Sequence, residues 1–185
     1  MIIDPEYQTQ LTAMHGQGLF NRGSKSFKSV RPFIDQYQPN SLLDFGCGHG
    51  ALIASIQEAY PNMRVEGYDP GNGDHCRMPK RLFDVVVSAD VFEHIEPKYL
   101  ATTLQLISSK MLRAGWFRIA CYPAKKQLPD GRNAHLIVES PDWWRSQMMS
   151  NMNITVVSEN VSVVDKSDKW PGVVGWNYDV VVEVK

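Results

Sequence analysis

Three groups of residues in this chain have the types and spacing to do chemistry. The first is Asp44-Phe45-Gly46-Cys47-Gly48-His49-Gly50, an acidic residue followed by three glycines on alternate positions. Glycine adopts φ > 0 and lets a ligand approach without meeting a Cβ. Three of them between an apolar strand and a helix make a tight turn whose amides face a nucleotide-like ligand at a helix N-terminus. The second is Asp69, which ends the apolar run Arg64-Val65-Glu66-Gly67-Tyr68 and lies 19 residues after Gly50. That is close to the spacing of about 20 at which the second strand of a nucleotide-binding sheet presents a carboxylate to ribose hydroxyls. A carboxylate accepts without donating, which suits a vicinal diol. The third is Asp90-x-x-Glu93-His94, with His135 further along. Imidazoles can accept a proton near neutral pH, and carboxylates converging with them can bind a divalent metal.

These motifs resemble those of the class I S-adenosylmethionine-dependent methyltransferases. Leu43-Asp44-Phe45-Gly46-Cys47-Gly48-His49-Gly50 is similar to that family's first motif, and Asp69 to the acid that ends its second strand. The run from Phe83 to Ile95 is similar to its fourth strand and the turn that follows. The resemblance covers residues 41 to 121 and weakens toward the C-terminus. It implies S-adenosyl-L-methionine as cofactor, bound by Asp44, Phe45, Gly46, Cys47, Gly48, Asp69, Pro70, Ser88, Ala89 and Asp90. Asp44 would accept from the cationic methionine portion or orient the turn, and Asp74, His75 and Cys76 would lie near the adenine. His94 and His135 are the candidate catalytic residues, as a base if the acceptor must lose a proton. Either can instead pin a loop structurally. No metal ligand is assigned. The Asp90, Glu93, His94, His135 set is nevertheless similar to that of the small-RNA 3′-terminal 2′-O-methyltransferases, which use Glu-x-x-Glu-His and a later histidine. Here the first acid is Asp.

Alternating elements must position these residues. Residues 1 to 23 read as a polar, glycine-rich lead, too irregular for a long helix, which could close over the cofactor. Ser24 can cap a helix to about Tyr37, with Phe27, Val30, Phe33, Ile34 and Tyr37 on one face. The first strand follows Asn40. A helix then spans Ala51 to Ala59, and the second strand runs from Arg64 to Asp69. Pro70 to Leu82 has little β character where the family places a third strand, so it reads as a loop or a very short strand. The next strand is Asp84 to Ser88. A helix from Pro97 to Met111 is stopped by Gly115, and Trp116 to Tyr122 is a strand. A polar loop spans Pro123 to Ala134, and a short helix near Pro141 carries Trp143, Trp144 and Met148. Two strands, Ile154 to Val164 and Tyr178 to Val184, close the chain around a loop containing Pro171, Gly172 and Gly175. Trp143, Trp144, Trp170 and Trp176 can wall an acceptor pocket or simply pack. The order is that of an α/β fold. The resemblance implies a Rossmann-like, doubly wound, seven-stranded sheet closed by an antiparallel strand pair, with the third strand short or degenerate.

The 185 residues suit one domain, with a lead at 1–23, a cofactor-binding half at 24–122 and an acceptor-side half at 123–185. A net charge of −1 argues against a broad nucleic-acid or membrane footprint, although Lys25, Lys28 and Arg31, or Lys125 and Lys126, could touch phosphate. Neither a membrane span nor a secretory leader is visible, and three scattered cysteines without C-x-x-C fit a reducing, cytoplasmic compartment. The G-x-x-x-x-G-K-[ST] phosphate loop is absent, and the glycine spacing departs from the G-x-G-x-x-G of dinucleotide folds. Ser88-Ala89-Asp90-Val91 stands where amino-methylating DNA enzymes carry [DN]-P-P-[YF], and Cys121 precedes Tyr-Pro where cytosine-C5 enzymes have a Pro-Cys nucleophile. The expectation is therefore a methyltransferase acting on an oxygen or nitrogen of a small-molecule acceptor. The alternatives are a metal-assisted RNA 3′-terminal 2′-O-methyltransferase-like enzyme, a catalytically inactive S-adenosylmethionine-binding protein and a nicotinamide-dependent oxidoreductase.

Overall fold

A six-stranded mixed sheet organises the computed structural model, which describes residues 2–17, 23–171 and 173–185. In chain order the elements are α1 (Pro5–Gly16), α2 (Phe27–Tyr37), β1 (Ser41–Phe45), α3 (Ala51–Ala59), β2 (Arg64–Tyr68), β3 (Phe83–Ala89), α4 (Leu100–Ser108), β4 (Met111–Cys121), α5 (Pro141–Asn151), β5 (Ile154–Asp165) and β6 (Val174–Val184). The spatial order is β2-β1-β3-β4-β6-β5. The first four strands in this order are parallel, β6 runs antiparallel to β4, and β5 runs antiparallel to β6. The carboxyl ends of β1, β2, β3 and β4 thus share one edge, where ligands bind in such sheets.

Alternation along the buried strands sends successive side chains to opposite faces. Leu42, Val85, Val87 and Trp116 pack under Val30, Phe33 and Ile34 of α2 and Leu52, Ile53 and Ile56 of α3. Leu43, Val86, Phe117 and Ile119 face the other way, against Leu104 and Ile107 of α4 and Trp144 and Met148 of α5. Two helical layers therefore clamp the sheet and fix the height of the strand ends. A smaller cluster joins Tyr7 and Met14 of α1 to Leu128 and Ala134.

Several elements differ from the sequence expectation. Residues 70–82 form no strand, so the sheet has six strands among the described residues where the resemblance implied seven. The N-terminal lead is not irregular throughout. Asp4 accepts from the Glu6 amide at 3.0 Å and Pro5 opens the first turn, which start a helix of 12 residues. Its buried residues are only Tyr7, Met14 and His15, too few for a clear apolar stripe. Positions 18–22 of that lead lie outside the described residues, as does the side chain of Ser24. Ser26 occupies the cap position of α2 and makes no side-chain capping bond.

The expected helix from Pro97 to Met111 shortens to Leu100–Ser108 after a 3-10 turn, and β4 begins at Met111 rather than Trp116. Gly115 lies inside β4 and does not stop a helix. A Cβ there would come within 2.6 Å of the Phe117 ring and 2.8 Å of the Met111 sulfur. Pairing of Ala114 and Gly115 with β3 on one side and β6 on the other overrides their local preference. The closing strands are also longer than expected and extend to Asp165 and from Val174.

Candidate active site

The turn after β1 is tied to the end of β2. The amides of Gly46 and Cys47 donate to the Tyr68 carbonyl at 2.7 and 3.2 Å. Gly46, Gly48 and Gly50 adopt φ of 82°, 54° and 76°, a region costly for residues with a Cβ. At Gly46 a Cβ would also lie 2.3 Å from a Val91 methyl, so the turn after β3 leaves room for nothing larger. Cys47 points away from reaction chemistry. Its sulfur would be 2.6 Å from a Cβ at Gly67, and burial pushes the thiol well above its usual range.

Asp69 is almost fully buried just beyond β2. Its two oxygens accept from the amides of Gly48 and Gly71 at 2.9 and 2.8 Å, and His15 Nε2 lies 3.4 Å away. Burial alone would push this carboxyl up. The contacts with His15 and the bonds from Gly71 and Gly48 outweigh it and hold the group below its ordinary value. Asn72, which carried no signal in the sequence, is buried and donates to the Gly48 carbonyl at 2.7 Å. An Asn inside a glycine-rich loop is the only cue it offered.

Asp44 lies behind this wall. One of its oxygens has no hydrogen-bond partner, and burial together with the neighbouring Asp69 raises the carboxyl to about 7. Ser88 is likewise structural in its side chain, donating to the Phe45 carbonyl at 2.8 Å across β1 and β3. Neither residue lines the cavity.

The opposite wall comes from the ends of β3 and β4. Asp90 leaves β3 in the left-handed region at φ 56°, and the 3-10 turn Phe92–His94 follows. Phe92 anchors that turn against Phe117, with ring centroids 5.1 Å apart. Glu93 is completely buried. One of its oxygens accepts from the Ala120 amide at 3.2 Å and the other has no partner. Burial first, and then Asp90, push its carboxyl well above the usual range. Asp90 is raised by its enclosure against the pull of Arg118, which pairs with Asp179 at 2.7 Å.

His94 Nδ1 lies 2.6 Å from the Ala134 carbonyl, and His135 Nδ1 lies 2.5 Å from that of Tyr122. A nitrogen facing a carbonyl must carry the proton, so in each neutral ring Nε2 holds the lone pair. Desolvation, followed by His135, depresses His94 to about 3, and desolvation also lowers His135. His94 therefore does not titrate near neutrality as expected from the isolated side chain, and burial shifts His135 in the same direction, toward the neutral ring. Asn133 positions the second one: its Oδ1 accepts from the His135 and Ala124 amides at 2.9 Å each. One ligand atom from each of Glu93, His94 and His135 lies within 4.8 Å of the others.

One cavity of about 500 Å³ joins the two walls. Phe45, Gly46, Cys47, Gly48, Asp69 and Pro70 line one side; Ala89 and Asp90 lie between; Glu93, His94 and His135 line the other. Helix α1 spans both. Gln8 donates to the Pro70 carbonyl and the Tyr7 hydroxyl to that of His94, each at 2.8 Å. Of Trp143, Trp144, Trp170 and Trp176, only Trp170 reaches the cavity. Trp144 is fully buried near Phe92, Trp143 packs edge-on against it, and Trp176 is exposed on β6. Asp74, His75 and Cys76 are not in the cavity wall, although a Cβ on Gly50 would sit 3.3 Å from the His75 ring.

A parallel sheet with an antiparallel closing pair, and a glycine turn facing an acid at its ligand-binding edge, define a Rossmann-like domain of the class I methyltransferase type. A family model described as a methyltransferase domain matches residues 22–159, and the chain belongs to that family. Among solved structures, the chain is similar to the 1,6-didemethyltoxoflavin-N1-methyltransferase of Burkholderia thailandensis with bound 1,6-didemethyltoxoflavin and S-adenosylhomocysteine. The identity is 15%, the TM-score is 0.68, and the match covers 100% of this chain and 92% of that one. It is also similar to the magnesium protoporphyrin IX methyltransferase of Synechocystis PCC 6803 with bound SAH, at 14% identity and TM-score 0.60, covering 88% and 83%. A third similar structure is the methyltransferase domain of bacterial CtHen1-C, at 12% identity and TM-score 0.60, covering 87% and 97%. No curated protein sequence matches the chain. Among the described residues, no helix is long and apolar enough to cross a membrane.

Proposed function

We propose that this protein transfers the methyl group of S-adenosylmethionine to an oxygen or nitrogen atom of a small-molecule acceptor. The observation that carries the proposal is the single cavity shared by the glycine turn with Asp69 and by the Glu93, His94, His135 cluster. The bound cofactor supplies a methyl group already activated on a sulfonium. What remains for the chain is largely to place the two reactants and exclude water. Residues Phe45 to Gly48 offer main chain to the cofactor, and Asp69 accepts from the ribose hydroxyls. The His15 contact with Asp69 must loosen for this, which makes α1 the lid of the site. At the other wall, the Nε2 atoms of two neutral histidines accept a hydrogen bond from the acceptor and orient its nucleophilic atom. The names of two similar structures, a 1,6-didemethyltoxoflavin-N1-methyltransferase and a magnesium protoporphyrin IX methyltransferase, support a small acceptor. The test is calorimetric titration with S-adenosylmethionine, its demethylated product and NADH in parallel. Binding of both sulfur compounds is expected; binding of NADH alone overturns the proposal.

A second reading has a specific observation behind it. Glu93 keeps an oxygen buried without a partner, beside two imidazoles whose Nδ1 protons are committed to carbonyls. This is how metal-binding histidines are usually oriented, and the donor set of one carboxylate and two imidazoles suits a divalent ion. Glu93, His94 and His135 would hold it, and it would supply Lewis-acid polarisation of an acceptor oxygen. That is the chemistry of the 2′-O-methyltransferase-like alternative, with an RNA 3′ end as acceptor. Zinc, manganese and magnesium titrated into chelator-treated protein distinguish the two. Metal uptake by the wild type, lost in Glu93→Gln protein that still binds S-adenosylhomocysteine, supports the second reading; no uptake removes it.

A further inference from the structure

Three lysines converge on the acceptor side of the cavity from distant parts of the chain. Lys125 and Lys126 follow β4, and Lys166 lies in the turn between β5 and β6. That turn is built to present Lys166: its amide donates to the Val173 carbonyl at 2.9 Å, and its carbonyl accepts from the Trp170 amide at 2.8 Å. Gathering three cations is unfavourable unless something negative joins them. Among the described residues, neither Lys125 nor Lys166 is within ion-pair distance of a carboxylate, although the charge of Lys166 acts on Asp90 across the cavity. The Lys125 ammonium stands 4.1 Å from the centre of the Trp170 ring, and that of Lys166 stands 5.1 Å from the centre of Tyr122. The fields of Lys126 and Lys166 nonetheless reach into the site, where they help to lower His94 and His135.

We propose that Lys125, Lys126 and Lys166 form the anion-binding end of the acceptor pocket, so that the methyl acceptor carries a carboxylate or a phosphate on a flat apolar body. The proposal rests on the methyltransferase reading above. A cation over an exposed aromatic face is held more weakly than one hydrogen-bonded to a carboxylate or phosphate. The ammonium groups therefore swing from the rings to the anion. This uncovers the faces of Trp170 and Tyr122, with Val173 beside them, for the apolar body of the acceptor. The anion at the lysines and the nucleophilic atom at Glu93, His94 and His135 then fix both ends of one molecule.

The test is calorimetric titration of protein saturated with S-adenosylhomocysteine, using 2-naphthoate, 2-naphthyl phosphate and uncharged 2-naphthamide as probes. At least one anion is expected to bind about tenfold or more tighter than the amide. The Lys125→Gln/Lys166→Gln protein should lose that advantage, binding the anions no more tightly than it binds 2-naphthamide, while it still binds S-adenosylhomocysteine. Lys166→Arg, which keeps the charge, should retain the advantage. A preference for 2-naphthoate assigns a carboxylate, and the reverse preference a phosphate. Equal binding of all three probes, binding of none, or a double variant that holds the anion undiminished overturns the proposal. Failure of the wild type to bind S-adenosylhomocysteine in the first step instead removes the methyltransferase reading.

Discussion

The two walls of the cavity use their carboxylates in opposite ways. At the glycine turn, Asp69 is saturated: both oxygens accept main-chain amides and the group is held ionised. At the acceptor wall, Glu93 is more deeply buried, has one oxygen with no partner and is pushed strongly toward its neutral form. An acid that must hold ribose hydroxyls benefits from a fixed charge and a fixed orientation. A site that must receive a proton or a cation needs an atom whose bonding is incomplete. Asp44 also keeps a buried oxygen without a partner, but it lies behind the glycine turn, whereas Glu93 lines the cavity, which is why the acceptor is proposed to sit on that side.

The sharpest way to break this comparison is at Gly46. Gly46→Arg places a side chain at φ 82° and against Val91, and is expected to weaken S-adenosylmethionine binding more than about 100-fold. Circular dichroism should show that the sheet persists. Binding within tenfold of wild type would remove the turn from the cofactor site. Next in size are Glu93→Gln and His135→Ala, each expected to lower turnover about 100-fold with cofactor affinity nearly unchanged. If either instead weakens S-adenosylmethionine and spares turnover, the two walls have been assigned the wrong way round.

Asp69→Asn keeps the shape and removes the charge. It should weaken the cofactor by roughly 1.5–3 kcal/mol, the value of hydrogen bonds to a charged group. Thermal stability of the apo protein should fall less than affinity does, because Asn retains one acceptor oxygen for the amides.

The smallest effect concerns Asp44, whose folded pKa of about 7 lies above the ordinary 3.8. Between those values the folded state binds the extra proton. The contribution of this group to stability is therefore complete below about pH 4 and is lost as pH rises through 7. Asp44→Asn should accordingly be more stable than wild type at pH 8, by on the order of 4 kcal/mol or less, and the gap should narrow to roughly a third of that toward pH 5. Melting curves at the two pH values check it. A gap that widens on acidification would mean that Asp44 is ionised and partnered in the fold.

How far the site could be read depended on what each residue needs. Gly46, Gly48 and Asp69 were readable because their roles depend on local backbone geometry, on the order of elements and on a spacing set by one helix and one strand. Residues Leu42 to Phe45 and Asp84 to Ser88 were readable as strands because their Leu, Phe and Val residues are buried on both faces, interrupted only by single polar residues. Gly115 misled because its helix-stopping tendency is local, whereas its place in β4 is imposed by two neighbouring strands and by the Phe117 ring. Helix α1 was missed because its stability comes from docking across the cavity rather than from an apolar stripe.

The sequence by itself thus determined the class of fold, the glycine turn and the acid at the end of the second strand, because each follows from the periodicity and backbone preferences of short segments. Only the tertiary structure decided which of the other polar residues act together. It sent Trp144 to the core and Ser88 to a strut, and brought His135 and the three lysines to the wall that holds Glu93 and His94. Those encounters join loops that are close only because the parallel strands end on one edge. No local preference encodes them; they depend on the packing of the whole sheet between its helices.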